Sequence, residues 1–217
     1  MDNLIYLLFI CIFVPIFLMA LLVEKKARLP IIFVLVGMFM SIFAAEINGY
    51  LFNFLPISIL DITTVVTPIT EEVLKAAPIL YFSLLISDKK ETLFTASMAT
   101  GIGFAILENA YYLLQRAGEF SMLDAVIRAF CAGLMHGMCT LLVGVGISFV
   151  KKKRKLFAVG TFAMLSTAIT YHGIYNMLMQ SKYELVGAIL PMATYLPFIF
   201  WRYTNGKKKT KKDEKIS

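Results

Sequence analysis

Apolar residues fill this chain in blocks of roughly twenty or more, and short runs of charge close each block. A helix needs about twenty apolar residues to cross a ~30 Å hydrocarbon core at ~1.5 Å per residue. The pattern therefore predicts membrane-spanning helices over residues 3–23, 30–52, 62–86, 92–114, 123–150, 156–180 and 184–203. The breaks between them are charged: residues 24–30 read Glu-Lys-Lys-Ala-Arg-Leu-Pro, residues 87–91 read Ser-Asp-Lys-Lys-Glu, and residues 151–155 read Lys-Lys-Lys-Arg-Lys. The expected fold class is all-α, a polytopic transmembrane bundle of about seven spans. It forms one domain over residues 1–206, followed by a basic cytoplasmic tail over 207–217.

The first block lacks a basic leader, is too long for a signal-peptide core, and has no small-residue cleavage pattern before Glu24. It reads as a retained helix. Composition agrees with the pattern: 59% of the 217 residues are hydrophobic, where a soluble domain is about half apolar. No stretch remains for a sizeable soluble domain, so any chemistry takes place in or at a membrane.

Charge adds an orientation. With the N-terminus outside, 17 of the 21 Lys and Arg residues fall on the cytoplasmic side and only Arg116 and Lys182 outside, with Lys75 and Arg128 within spans. That bias predicts an N-out, C-in topology. The net charge of +7 has the same origin. The basic tail is expected on anionic headgroups rather than on nucleic acid. Cys11, Cys131 and Cys139 lie inside apolar blocks without Cys-x-x-Cys spacing. They read as packing residues, with metal ligation by Cys139 the lesser alternative.

Several ionisable residues stand where charge is costly. Glu71, Glu72 and Lys75 fall in the third span, Glu108 in the fourth, Arg128 and His136 in the fifth, and His172 in the sixth. A charge at a helix centre in lipid costs at least ~2.5–3.5 kcal/mol on insertion scales. Counting from the external end of each span places Glu71, Glu108, His136 and His172 at depths of roughly 9–20 Å. Four helices thus set a carboxylate or an imidazole in one layer of the outer half of the membrane.

Two imidazoles and a carboxylate from separate helices match the three-ligand, open-position pattern of catalytic zinc, which activates a bound water. The expected ligands are Glu108, His136 and His172. Glu71 or Glu72 is then the general base, with the other meeting Lys75 or orienting a ligand. The exchanged arrangement, in which one of the pair ligates and Glu108 is the base, stays open. Lys75 lies one turn after the pair, as electrostatic support or as simple charge neutralisation. Asn176 follows His172 by one turn and is placed to donate to a developing oxyanion.

Pro68 and Pro78 bracket the glutamate pair, where they perturb the backbone ladder. Gly101, Gly103, Gly133, Gly137, Gly144 and Gly173 flank the polar positions and predict close helix packing. Glu46 is expected either to snorkel outward or to pair with Arg128. Tyr111 and Tyr112 read as an interfacial aromatic belt.

The residues Glu71-Glu72-Val73-Leu74-Lys75 resemble the Glu-Glu-x-x-Lys motif of the PrsW family of intramembrane metalloproteases. Phe104-Ala105-Ile106-Leu107-Glu108-Asn109 resembles its Phe-x-x-x-Glu-Asn motif. His136 with Arg128 upstream, and His172 with Asn176, resemble its two later histidine segments. The likeness covers a core of about residues 60–180, with the motifs in family order. In the wider superfamily, the CaaX prenyl endopeptidases and bacteriocin-immunity-type proteins more typically carry an arginine one position later after the glutamate pair. They also carry a histidine where Glu108 stands, so the departure favours the PrsW-like branch.

The resemblance implies a metal-dependent protease of a bacterial plasma membrane that cuts a membrane-anchored, single-pass protein. An anti-sigma factor cut on its external side, in stress signalling, is the characteristic substrate. Two other readings of the buried cluster are a small proton-coupled transporter and a non-catalytic membrane scaffold. The transporter predicts an internal repeat, and none is evident in the sequence.

Overall fold

The computed structural model describes residues 4–116, 121–149 and 154–197. Most of the basic run at 151–155 and the whole tail at 207–217 lie outside the described residues, as does the end of the last predicted span. Among the described residues all regular structure is helical. The order is α1 (Leu4–Leu22), α2 (Lys25–Phe54), a single turn α3 (Ile59–Asp61), a π-helical segment (Ile62–Val66), α4 (Thr67–Leu85), α5 (Lys90–Gln115), α6 (Met122–Ile147) and α7 (Arg154–Met179). A last helix, α8, occupies residues 184–197.

Each apolar block therefore corresponds to a helix. Among the described residues, four helical stretches are long and apolar enough to cross a membrane by length and composition: Leu4–Leu22, Ala27–Phe54, Met122–Ile147 and Phe157–Met179. In α4 the three charges Glu71, Glu72 and Lys75 dilute a helix of only 19 residues. The charged stretch after Glu24 is not an extended break, because α2 begins at Lys25 and takes it up in its first turns. Pro30 falls only one turn and a half into α2, where it interrupts little of the ladder.

The distribution of polarity is inverted relative to a water-soluble bundle. Large apolar side chains such as Leu22, Leu85, Met122 and Phe162 are exposed, while Glu71, Glu72, Lys75, His136 and His172 are buried. Exposed apolar surface of this extent calls for lipid or a partner around it. Helix α1 lies at the periphery, where Ile5, Phe9 and Phe13 pack against Leu35, Met38 and Ile42 of α2 and Leu107 of α5.

Helices α2, α4, α5, α6 and α7 surround the polar interior. Glycine sets two of the closest approaches. A Cβ on Gly101 would overlap the carbonyl oxygen of His136, so α5 and α6 touch backbone to backbone beside that imidazole. A Cβ on Gly173 would lie 2.5 Å from the carbonyl oxygen of Thr64, which seats α7 directly on the π-helical segment. Gly133, in contrast, faces open space.

Candidate metal centre

Proline shapes the entry to α4. In the π-helical register the Thr67 N–H reaches back to the Ile62 carbonyl, so the Thr63 carbonyl would be bonded by residue 68. That residue is Pro68, which has no N–H. Asn176 fills the vacancy from α7, donating from Nδ2 to the Thr63 carbonyl oxygen at 2.9 Å. The residue expected to donate to an oxyanion is thus bonded to the backbone that leads into the glutamate pair.

One turn later, Glu72 and Lys75 are both fully buried. Lys75 Nζ lies 2.6 Å from Glu72 Oε1 and 4.5 Å from the centroid of the Phe104 ring on α5. It also lies 2.8 Å from Nδ1 of His136 on α6. An ammonium can only donate, so with Lys75 charged Nδ1 of His136 accepts and its ring proton is on Nε2. That nitrogen faces Glu108, with Oε2 at 2.7 Å. The contact is close in charge but poorly aligned, since Oε2 is a buried oxygen without a hydrogen-bond partner among the described residues.

On α7, Nδ1 of His172 lies 2.9 Å from Glu72 Oε1. An ionised carboxylate only accepts, so His172 donates from Nδ1 and keeps the Nε2 lone pair free. Nε2 is turned towards Oε2 of Glu71, 3.8 Å away. The two imidazole rings meet edge to face with centroids 4.8 Å apart. They are the only two histidines of the chain.

The four residues expected in one layer, Glu71, Glu108, His136 and His172, therefore do meet through these contacts. Glu71, His136 and His172 each offer a ligand atom within 4.8 Å of the other two. Oε2 of both Glu71 and Glu72 is buried without a hydrogen-bond partner among the described residues. Unmatched buried carboxylate oxygens beside imidazole nitrogens are the donor set that a divalent metal ion takes. Glu108 sits at the rim, about one third exposed, between His136 and Arg128 Nη2, which lies 3.7 Å from Oε1.

Arg128 is held from the other side by Tyr112, with its guanidinium carbon 3.6 Å from the ring centroid. Tyr112, expected in an aromatic belt, lies under the Arg128 guanidinium as a platform beside the site. Glu46 hydrogen-bonds to Tyr6 of α1 rather than pairing with Arg128. Cys139 is buried and directs its thiol to the Ala168 carbonyl at 3.7 Å. Phe104, beneath both Lys75 and His136, carried only a motif role in the sequence. The spacing of eight residues between Arg128 and His136 does mark a shared face of α6.

A family model described as PrsW family intramembrane metalloprotease matches residues 25–202. No curated protein and no solved structure matches the chain.

Proposed function

Because the chain belongs to the PrsW family of intramembrane metalloproteases, we propose that it is a zinc-dependent endopeptidase whose active site is the Glu71–Glu72–Glu108–His136–His172 cluster. The observation that carries this reading is the group Glu71, His136 and His172, with ligand atoms within 4.8 Å of one another. These three residues would hold the metal, and Glu108 would be the general base, exchanging the roles first expected of the glutamates. A bound zinc ion would supply Lewis acidity and a water of lowered pKa.

The chain's own residues set the stage for that chemistry. Glu72 accepts from Nδ1 of His172 and so fixes the ring with Nε2 towards the site, as carboxylates do behind histidine ligands. For His136 to present Nε2 in the same way, its proton moves to Nδ1, and the Lys75 ammonium, which can only donate, would then turn away from Nδ1 and stay with Glu72. Glu108 is at the more open edge, where a carboxylate can take a proton from an attacking water and return it to the leaving amine. Arg128 and Tyr112 hold that carboxylate in place. Asn176 contributes by positioning, since it bonds the π-helical backbone that leads into α4, from which Glu71 and Glu72 project.

The substrate class we assign is a single-pass membrane protein, of which an anti-sigma factor is the characteristic example, cut near the external face of a bacterial plasma membrane. The basic-residue bias supports that orientation. The test is cleavage of single-span reporter proteins by the purified chain in liposomes, with and without chelator. Zinc-restored cleavage that is lost in His172→Ala supports the reading. Cleavage that survives chelation, or survives in His172→Ala, overturns it. Reporter-independent ion flux would favour the transporter instead.

A further inference from the structure

A groove between α1 and α2 lies outside the chemistry just described. Phe9, Phe13 and Phe17 of α1 line one wall, and Ile32, Leu35 and Phe39 of α2 line the other. Its volume is about 410 Å³, and every lining side chain is apolar. The α1 rings recur every four residues on one face, with neighbouring centroids 4.7 and 6.0 Å apart. Phe9 meets Phe39 across the far end at 6.2 Å, while Phe17 and Ile32 stay open to the surroundings.

The other end of the groove is cationic. Arg28 precedes Ile32 by one turn of α2, and Leu21 follows Phe17 by one turn of α1. Arg28 Nη2 donates to the Leu21 carbonyl at 3.2 Å and Nε to the Val23 carbonyl at 2.9 Å. The guanidinium therefore bridges the two walls where they converge, and its Nη1 N–H groups are left over among the described residues. Lys25 is exposed one turn further out on the same face of α2. Glu24 offsets one of three cations, leaving a charge of +2 over residues 24–28. It gives α2 no side-chain cap, so the positive end of that helix adds to the field.

From Arg28 to Phe39 the distance along α2 is about 16 Å, close to the ~15 Å of hydrocarbon in one leaflet. A small anion would leave the apolar walls unfilled, and an apolar helix would leave the cations unmatched. A phospholipid with an anionic headgroup satisfies both ends.

We propose that this groove binds an acyl chain of an anionic phospholipid, with the phosphate against Arg28 and Lys25. Apolar burial holds the chain, and the cations select the headgroup. The bound lipid braces α1 on α2. Helix α1 (Leu4–Leu22) lies outside the matched residues 25–202, so one wall of the site comes from beyond the shared family region.

The experiment photolabels the full-length protein in phosphatidylcholine–detergent micelles. Two probes carry the same diazirine-bearing acyl chain, one a phosphatidylglycerol and the other a phosphatidylcholine, and peptide mass spectrometry locates the labels. Phosphatidylglycerol is expected to label the segments around Phe13 and Leu35 about 10- to 30-fold more than phosphatidylcholine. Lys25→Gln is expected to reduce that preference about 5-fold, the worth of one lysine near an anionic headgroup. Ile32→Trp fills the groove and leaves both cations in place; it is expected to abolish labelling there while labelling elsewhere continues. Glycerol 3-phosphate, a headgroup without tails, is expected not to compete. Equal labelling by the two lipids, or a preference that survives Lys25→Gln, would overturn the proposal. So would full labelling in Ile32→Trp, competition by glycerol 3-phosphate, or a groove that neither lipid labels because a second copy or another helix fills it.

Discussion

Oε1 of Glu72 lies 2.9 Å from Nδ1 of His172, and the same oxygen takes Lys75 Nζ at 2.6 Å. One buried carboxylate thus orients an imidazole and neutralises an ammonium. Glu72→Gln keeps the shape and loses the charge. Metal affinity is expected to fall by about 10- to 100-fold, as for other partners behind ligating histidines. Competition with a chromophoric chelator measures it, and an unchanged affinity would contradict the assignment.

Lys75 is fully buried with its charge matched by Glu72. Lys75→Met leaves that carboxylate with His172 alone, and breaking a buried pair costs about 3–5 kcal/mol. Replacing both residues, as in Glu72→Leu with Lys75→Met, is expected to recover most of the stability but none of the activity. Unfolding in mixed micelles, followed by circular dichroism, distinguishes the single from the double variant.

The Asn176 side chain replaces the N–H that Pro68 lacks. Asn176→Ala orphans the Thr63 carbonyl and is expected to cost about 1–3 kcal/mol. Restoring an N–H with Pro68→Ala in the same chain should return part of that loss. If the double variant is no more stable than Asn176→Ala, the Thr63 carbonyl is satisfied in some other way.

Gly101 has no room for a side chain, because α5 meets the backbone of α6 at His136. Gly101→Ala forces the helices apart beside a proposed ligand, and a displacement of about 1 Å at a catalytic centre can lower turnover about 100-fold. The expected result is a folded protein with depressed cleavage, read by parallel activity and melting measurements. Wild-type turnover would show that the close approach serves packing alone.

Much of the architecture was legible from hydrophobic periodicity, because a helix in lipid must be both long and apolar. Boundaries were less so. The charged residues after Glu24 look like a break, but Lys25 onward joins α2, since lysine stems are good helix formers and their charges can reach water. Depth placed Glu71, Glu108, His136 and His172 in one layer, and the structure brings the four into contact, with Glu71 rather than the expected Glu108 grouped with the two histidines. Their partners were not legible, because helix rotation about its own axis is not set by depth. That rotation gives Arg128 to Glu108 and Glu46 to Tyr6. It also decides which glutamate faces both imidazoles. The π-helical segment left only an indirect trace, in Pro68 and in an asparagine more than a hundred residues away.

The central claim is that Glu71, His136 and His172 hold a metal ion while Glu108 acts beside it. Zinc content per chain, measured on purified wild type, Glu71→Gln and Glu108→Gln, tests it most directly. The account predicts about one zinc in the wild type and in Glu108→Gln, and a large loss in Glu71→Gln. Zinc lost from Glu108→Gln but retained by Glu71→Gln would contradict it.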